Sequence, residues 1–322
     1  MNSENKKVQI KEIGGYIELD LGNKENYFHK HAIYINSGRN GIKYAIRAYN
    51  IKQLWVPYYT CPVVWQAIKE EQCECKFYSI GDDLQPILNC SENEYVLYTN
   101  YFGVCSEKIR QLSIKYKNLI IDNAQAFYMK PYGIASAYSP RKFFGCSDGG
   151  IVYCNKKIDK DFERDYSWNR FSHLLKRLDV DSNFGYDDFN KNDDSLIGED
   201  IKRMSNLTNK ILANIDYEYC KMKRLKNYKY LQSELDRFNS LKTKITDDVP
   251  MYYPLLIENN DLRQKLVDEK IYIPKCWRNM EKNCKDKSYE LYLQKYMHPL
   301  IIDQRYDIHD MDRIVKIIKK NY

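Results

Sequence analysis

The hydrophobic pattern between about residues 33 and 155 alternates short apolar runs with segments of helical periodicity. The runs that predict β-strands lie at 53–57, 75–80, 94–100, 118–122, 135–139 and 150–154. Between these runs, apolar residues recur three and four positions apart, which places them on one face of a helix. Because strands and helices alternate, the pattern predicts an α/β fold with a largely parallel sheet covered by helices on both faces.

Three amphipathic segments of this region predict helices. The first covers 42–49, the second begins after Thr60 as its N-cap with Pro62 in its first turn, and the third begins at Ser106. The apolar positions expected to face the core are Ile42, Ala45, Ile46, Tyr49, Val64, Ala67, Ile68, Ile109, Leu112 and Tyr116. Each helix therefore offers one apolar stripe that can pack against the sheet.

Residues 181–200 interrupt this rhythm because they are acidic, polar and poor in apolar residues. Two interpretations remain open for this stretch. One is a solvated surface loop, and the other is a mobile loop close to the active site. Helical periodicity resumes at Met204 and continues to about Phe238.

The last part of the chain predicts a smaller α+β domain. Strands are expected at 251–257 and 270–277, on either side of a helix. A final helix begins after Asp310 as its N-cap, and its core-facing residues are Met311, Ile314, Val315 and Ile318. We therefore place a large domain at 1–215 and a smaller domain at 216–322.

A length of 322 residues and a hydrophobic content of 43% are typical of a folded globular protein. No apolar run approaches the length that spans a bilayer. The N-terminal segment also lacks the apolar core of a signal peptide. We therefore expect a cytoplasmic protein without a membrane partner.

The cysteines and the charged residues limit the kinds of ligand that the protein is expected to bind. The ten cysteines are scattered, and only Cys73 and Cys75 form a C-x-C pair. Because no second pair lies at a zinc-site spacing, we expect reduced thiols and no metal site. The formal charge of +7 favours anionic small molecules, but Lys and Arg form no basic run typical of nucleic-acid-binding proteins. A small-molecule substrate is expected, and no nucleic acid.

Two charged residues lie at the ends of predicted strands. Asp122 ends the run 118–122, and Lys142 lies between the run 135–139 and the glycine-rich sequence FFGCSDGG. Since the carboxyl ends of parallel strands meet at one edge of a sheet, both side chains are expected there. Pyridoxal 5'-phosphate (PLP) requires an amine for its Schiff base and a carboxylate that keeps its pyridine nitrogen protonated. The alternatives are a solvated Lys142 and an Asp122 that only caps the next helix.

Further residues would complete a PLP site. Gln125, one turn beyond the strand end, can donate its amide to a phenolate-like oxygen. At the start of the first helix, Gly38, Arg39 and Asn40 offer backbone N–H groups and a guanidinium to a phosphate. Ser139 can add a hydroxyl to the same phosphate.

Five segments occur in the order seen in the DegT–DnrJ family of PLP-dependent sugar aminotransferases: SGRNGIKYAI, VPYYTCPVVWQAI, TNYFG, IIDNAQA and AYSPRKFFGCSDGG. The chain resembles this family from about residue 35 to its C-terminus, and 297–318 resembles its last strand and helix. The resemblance implies fold type I, that of aspartate aminotransferase. It makes Lys142 the Schiff-base lysine, Asp122 the partner of the pyridine nitrogen and Gln125 a contact of the cofactor hydroxyl. Residues 38–40 fall on the phosphate-binding turn.

The chain departs from the family at three cofactor positions. Arg39 stands where the family usually has Thr, and Ala137 stands where it has the serine five positions before the lysine. Ser139 is the expected replacement for that serine. Cys61 stands near the position of the aromatic residue that stacks on the cofactor ring, and Tyr58 or Tyr59 is the expected substitute, with Tyr59 assigned to the site.

Other departures concern the neighbouring subunit and the substrate. Ile201 stands where the family's Asn reaches the phosphate of the neighbouring subunit, so another residue of 181–206 is a candidate for that role. The chain is also shorter than typical members, chiefly around 155–200. Arg141 and the basic stretch 278–287 are candidates for holding a diphosphate. A smaller acceptor remains open as well.

The leading interpretation is a homodimeric PLP-dependent aminotransferase, with two active sites at the subunit interface. It would aminate a nucleotide-linked keto-sugar, with an amino acid such as glutamate as the amino donor. The reaction would belong to surface polysaccharide or amino-sugar biosynthesis. One alternative is a PLP enzyme of different chemistry, a dehydratase or a decarboxylase. The other is a catalytically silent paralogue that acts as a binding or regulatory module.

Overall fold

The computed structural model describes residues 13–277, 284 and 288–321. In this part of the chain the strands are β1 (Ile33–Ile35), β2 (Gln53–Pro57), β3 (Glu74–Ile80), β4 (Pro86–Ile87), β5 (Tyr95–Thr99), β6 (Asn118–Asp122), β7 (Ala135–Tyr138), β8 (Gly150–Cys154), β9 (Tyr252–Leu256) and β10 (Met297–Ile301). The helices are α1 (Gly38–Tyr49), α2 (Pro62–Glu70), α3 (Ser106–Lys115), α4 (Ser172–Asp179), α5 (Tyr186–Ser195), α6 (Asn206–Ala213), α7 (Tyr217–Leu235), α8 (Leu262–Asp268), α9 (Tyr289–Tyr296) and α10 (Ile308–Lys320).

The first eight strands form one mixed sheet in the order β1-β8-β7-β6-β5-β2-β3-β4. Its central strands β7, β6, β5, β2 and β3 are parallel, while β8, β1 and β4 join through antiparallel pairs. All six strands expected from the apolar runs of this region are present, each within one residue of its expected bounds. The prediction of a largely parallel sheet is confirmed.

Helices cover both faces of this sheet. On one face, α1 and α2 pack with Ile120 of β6 in one apolar cluster. On the other face, α3 packs with Leu119 and Ile121 of the same strand. Successive residues of a strand point to opposite faces, so this single strand contributes to both layers. Each fully buried aliphatic side chain of this kind stabilises the fold by about 1.5–3 kcal/mol.

Two predicted helix caps are wrong by one turn or less. The N-cap of α2 is Cys61, because the hydroxyl of Thr60 instead forms a hydrogen bond of 3.0 Å with Thr99. The N-cap of α10 is Asp307, whose carboxylate accepts from the backbone of Asp310 in a capping box. The helix starts are therefore set by the residues that are free to turn back onto the backbone.

A second sheet of two antiparallel strands, β9 and β10, lies beyond α7 and packs against it. The predicted strand at 270–277 is wrong, since this segment forms no strand. It contains Pro274 and begins and ends with positive φ angles, 59° at Lys270 and 53° at Trp277. A proline and such reversals prevent a regular ladder. In the described part of the chain, none of the helices combines the length and the apolar character needed to cross a bilayer.

Candidate active site

The site is built at the carboxyl ends of the central strands. The register places Asp122 of β6 between Thr99 of β5 and Ala137 of β7. The chain after β7 makes a short 3-10 turn, Pro140–Lys142, which brings Lys142 back to the same edge. The carboxylate of Asp122 is buried and accepts a hydrogen bond of 2.9 Å from the backbone N–H of Ala124.

The electrostatics of this pair suit a cationic ligand atom. Burial raises the pKa of the Asp122 carboxyl, while the nearby Lys142 ammonium and the Ala124 N–H oppose that rise. The side chain of Lys142 is exposed, and its amine makes no hydrogen bond or ion pair within the described residues. The site therefore holds an amine that can react and a buried carboxylate that a further positive charge would stabilise.

Gln125 is fixed through its side-chain oxygen. Oε1 accepts a hydrogen bond of 2.6 Å from the backbone N–H of Phe102. Phe102 and Gly103 both have positive φ angles, and a Cβ at Gly103 would lie 2.4 Å from the carbonyl oxygen of Gln125. Glycine is thus required where these two segments meet. Because Oε1 is occupied, Nε2 of Gln125 is left as a donor with no partner among the described residues.

The start of α1 lies against the turn that carries Ser139. Ser37 is the N-cap, and its hydroxyl accepts from the N–H of Asn40. A Cβ on Gly38 would lie 3.0 Å from the Cβ of Ser139, so glycine allows the helix end to approach this turn. The Asn40 side chain instead donates to Asn36 and to a backbone carbonyl, and it is fully buried. The Asn40 side chain therefore stabilises this turn from the protein interior.

Arg39 gives this helix end a positive side chain. The side chain is only 7% exposed and faces Asp193, with Nη2 3.7 Å from the carboxylate Oδ1. Its other terminal nitrogen, Nη1, is buried without a hydrogen-bond partner in the described chain. Burial lowers the pKa of the Arg39 guanidinium. An anion at this helix end would supply the missing partner and the missing charge.

Of the two aromatic candidates, Tyr59 lies in the core and Tyr58 is half-buried against it. Tyr59 is fully buried, with its ring stacked against Tyr101 at 5.7 Å and in edge contact with Trp277 at 4.6 Å. Tyr58 stacks on Phe77 at 5.1 Å. The structure does not bring the Tyr59 ring into the open part of the site, and stacking by Tyr59 stays a prediction.

Two cysteines, Cys61 and Cys276, lie near Lys142. Burial raises the pKa of the Cys61 thiol, and Lys142 opposes the rise. Burial likewise raises the pKa of Cys276 to about 12, with Lys142 again opposing it. Cys61 was expected near the site from the sequence, whereas Cys276 was not. No local signal marks Cys276, since it reaches the site only through tertiary packing of the 270–277 segment.

The interpretation of 181–200 as a surface loop is wrong for its central part, which forms α5. This helix packs against α4, and its Asn192 is buried and donates to the carbonyl of Ser147 at 2.9 Å. Asp193 of α5 also accepts from Arg141 at 3.2 Å. The alternative, a mobile loop close to the active site, is likewise wrong in expecting a loop, but its position close to the active site agrees with the contact between Asp193 and Arg141. Asp193 was missed because its contact with Arg141 joins residues 52 positions apart.

Two further positions singled out in the sequence are Ile201 and the basic stretch 278–287. Ile201 is buried in an apolar cluster with Ile35, Tyr44 and Phe162, so this position offers no polar donor. The basic stretch 278–287 lies outside the described residues except for position 284.

Gly150 controls the position of the α1 helix end. A Cβ at this residue would lie 2.1 Å from the carbonyl oxygen of Ser37 and 2.8 Å from the N of Gly38. We expect Gly150→Ala to lower the free energy of unfolding by about 1–3 kcal/mol through overpacking. Denaturant unfolding measures this loss. Gly145→Ala is the matched control, since its nearest new contact would be 3.9 Å away; equal stability of both variants would contradict the expectation.

A scan against family models and a search of curated proteins each find no match. Solved structures do match. A DegT DnrJ EryC1 StrS aminotransferase from Brucella abortus is 13% identical, with a TM-score of 0.59 over 90% of this chain and 86% of that chain. The sugar aminotransferase CalS13 from Micromonospora echinospora is 14% identical, with a TM-score of 0.63 over 90% and 87% of the two chains.

A third solved structure, NtdA from Bacillus subtilis with bound cofactor PMP, is 13% identical, with a TM-score of 0.62 over 90% of this chain and 73% of that chain. At these identities the likeness concerns the fold. It agrees with the mostly parallel sheet, the flanking helices and the second small sheet described above, so the predicted fold class is confirmed. The chain has the fold of the DegT–DnrJ aminotransferases that its sequence resembles.

Proposed function

We propose that this protein is a PLP-dependent aminotransferase of keto-sugars, in surface polysaccharide or amino-sugar biosynthesis. The observation that carries the proposal is the meeting of Asp122 and Lys142 at one sheet edge, a buried carboxylate beside an unpaired amine. The residues around them fit PLP. The unpartnered nitrogen of Arg39 and the close approach of Gly38 to Ser139 form a place for its phosphate.

When bound, PLP supplies an aldehyde that reacts with amines and a ring that accepts electrons. Lys142 would hold the cofactor covalently and carry a proton at Nζ between carbon atoms of the reacting groups. The carboxylate of Asp122 would keep the ring nitrogen protonated, and this positive charge would in turn lower the pKa that burial raises.

The remaining residues would orient the group. Nε2 of Gln125 is free to donate to the ring hydroxyl, because Phe102 already holds Oε1. Backbone N–H groups at Gly38, the guanidinium of Arg39 and the hydroxyl of Ser139 would bind the phosphate. The tyrosine that would stack on the ring, Tyr59, would have to leave its present packing against Trp277.

A cavity beside the site supports a nucleotide-linked acceptor. Its volume is about 760 Å³, and it lies between the α4–α5 pair and helices α8 and α10. Six Lys or Arg side chains and one carboxylate line it, namely Arg177, Arg263, Lys270, Lys275, Arg305, Arg313 and Asp310. His173 lines it too. Burial lowers the pKa of the His173 imidazole, and the nearby positive charge of Arg141 lowers it further. Arg305 and Arg313 are paired with Asp303 and Glu269, and the net charge of the cavity remains positive, which suits a diphosphate.

The acceptor can be tested together with the amino donor. Addition of glutamate to the PLP-loaded protein should remove the absorbance of the lysine-bound cofactor and leave its aminated form. UDP- or dTDP-linked keto-sugars should then restore the absorbance faster than keto-sugar phosphates or simple keto acids. The reason is that only the nucleotide-linked compounds place a diphosphate in the positive cavity.

Each outcome of this experiment has a separate meaning. Recovery with the small acceptors alone would overturn the nucleotide-linked assignment and leave the aminotransferase proposal intact. A protein whose absorbance no amino acid changes would contradict the aminotransferase proposal and favour a PLP enzyme of different chemistry or a silent paralogue.

We also propose a homodimer with its two sites at the interface. Large apolar side chains are almost fully exposed at Tyr16 and Ile17, and others are exposed at Trp168 and Leu178. Exposed apolar surface of this kind is typical of an interaction site, and two-fold dimers are the commonest assembly among soluble oligomers. Sedimentation equilibrium should give twice the chain mass. A monomer that is fully active at low concentration would contradict shared active sites.

A further inference from the structure

Three charged side chains form a cluster at the phosphate end of the candidate site: Arg39, Arg141 and Asp193, called here the Arg–Asp–Arg cluster. Arg39 is the second residue of α1, Arg141 precedes Lys142, and Asp193 belongs to α5. A single carboxylate oxygen, Oδ1 of Asp193, forms an ion pair with Nη2 of Arg39 at 3.7 Å. The same oxygen accepts hydrogen bonds from both terminal nitrogens of Arg141 at 3.2 and 3.3 Å. One atom thus links three segments that are far apart in the sequence.

The cluster is short of negative charge where it is most buried. The side chains of Arg39 and Arg141 are 7% and 14% exposed, whereas that of Asp193 is 49% exposed. Two guanidinium groups therefore share one half-exposed carboxylate. Nη1 of Arg39 is buried and has no hydrogen-bond partner in the described chain. Buried charge without a full partner is costly, so the two arginines can accept a stronger anion than Asp193.

The place of this anion is given by the neighbouring groups. The N–H groups at the start of α1 and the hydroxyl of Ser139 lie beside Arg39, because Gly38 brings them together. A phosphate monoester carries about two negative charges at neutral pH and three acceptor oxygens. It can give each guanidinium its own oxygen, which the shared Oδ1 of Asp193 does not.

We propose that Asp193 is an internal anion that holds Arg39 and Arg141 in place until the cofactor phosphate replaces it. Asp193 and Arg141 are then positioning residues for phosphate binding, and α5 loses one of its attachments when the cofactor binds. The proposal rests on the proposed function, since the phosphate is that of PLP. The bond from Asn192 to the carbonyl of Ser147 does not involve the cluster, so α5 keeps an attachment in both states.

The test compares PLP with pyridoxal, which lacks the phosphate. Dissociation constants of both compounds are measured by absorbance titration of the apoprotein. Arg39→Gln and Arg141→Gln should each lower the preference for PLP over pyridoxal about tenfold or more, because each removes a charged hydrogen bond. Asp193→Asn should raise the affinity for PLP several-fold and leave that for pyridoxal unchanged, because it removes the competing anion.

Matched controls separate this effect from general charge and folding effects. Lys191→Gln and Asp187→Asn change exposed residues of α5 that lie outside the cluster, and they should not alter the preference. Hydrogen exchange of 186–195 should become faster when PLP binds to the natural protein, but not when pyridoxal binds. Circular dichroism confirms that each variant is folded.

The outcomes distinguish this inference from the function on which it rests. If the natural protein binds neither PLP nor pyridoxal, the proposed function fails and the inference falls with it. If both compounds bind but the cluster variants keep the natural preference, the inference alone is overturned. Weaker PLP binding by Asp193→Asn would also overturn it, because Asp193 would then assist the phosphate rather than compete with it.

Discussion

Lys142→Ala is expected to abolish covalent attachment of PLP and to slow transamination by about 10⁴-fold. The amine is exposed at the sheet edge and has no partner among the described residues, whereas Asp122 beside it is buried. The positive charge of Lys142 acts directly on this carboxylate and lowers its pKa. The measurement is borohydride reduction of the PLP-loaded protein, followed by peptide mapping and by half-reaction kinetics.

The control is Lys130→Ala, which removes an exposed lysine close in sequence and should leave both the adduct and the rate unchanged. An adduct on a different lysine, or a protein that takes up no PLP, would contradict the assignment of Lys142.

Asp122→Asn is expected to keep covalent PLP and to slow the half-reaction with the amino donor by about 10³-fold. An amide cannot stabilise a protonated ring nitrogen as a carboxylate does, so the ring becomes a poorer electron acceptor. Stopped-flow absorbance measures the rate. The matched control is Asp248→Asn, a second buried carboxylate whose pKa burial raises, which binds the backbone N–H of Ser106. It should lower stability and leave the rate unchanged.

The same substitution should stabilise the protein without cofactor. Burial raises the folded-state pKa of Asp122 above its ordinary value of 3.8. The ionised carboxylate of Asp122 therefore destabilises the folded state at neutral pH. This destabilisation disappears as the pH falls through the folded-state pKa towards the ordinary value. Asp122→Asn removes this destabilisation, so its unfolding free energy at neutral pH should exceed that of the natural apoprotein. A near-normal half-reaction rate or a lower apoprotein stability would mean that the carboxylate has been assigned wrongly.

The strands of the main sheet could be predicted because their signal is local. The runs that form β5, β6 and β7 are almost fully buried, and burial is what an uninterrupted apolar run requires. The stripe Met311, Ile314, Val315 and Ile318 is buried in α10 for the same reason. The two short strands β1 and β4 of this sheet were missed. They have three and two residues, too few for a periodic pattern to be visible.

Three of the errors concern competition between local signals and distant partners. Thr60 is a good N-cap residue, but its hydroxyl is taken by Thr99 of another strand. The apolar run 270–277 suits a strand, but β9 pairs with β10 instead. The polar stretch 181–200 lacks an apolar stripe, yet α5 forms within it and is held by Asn192 and Asp193. In each case the deciding contact lies far away in the sequence.

The sequence by itself determined the central sheet, the helices beside it and the arrival of Asp122 and Lys142 at one edge. The strand ends follow from short apolar runs and from the glycines and prolines between them, whereas the order of the strands in the sheet was seen only in the structure. Only the tertiary structure decided that Arg39 and Arg141 share Asp193, that Cys276 lies near Lys142, and that Tyr59 packs against Trp277. The physical reason is that charge pairing and ring packing depend on distances between segments that the local pattern of a chain does not contain.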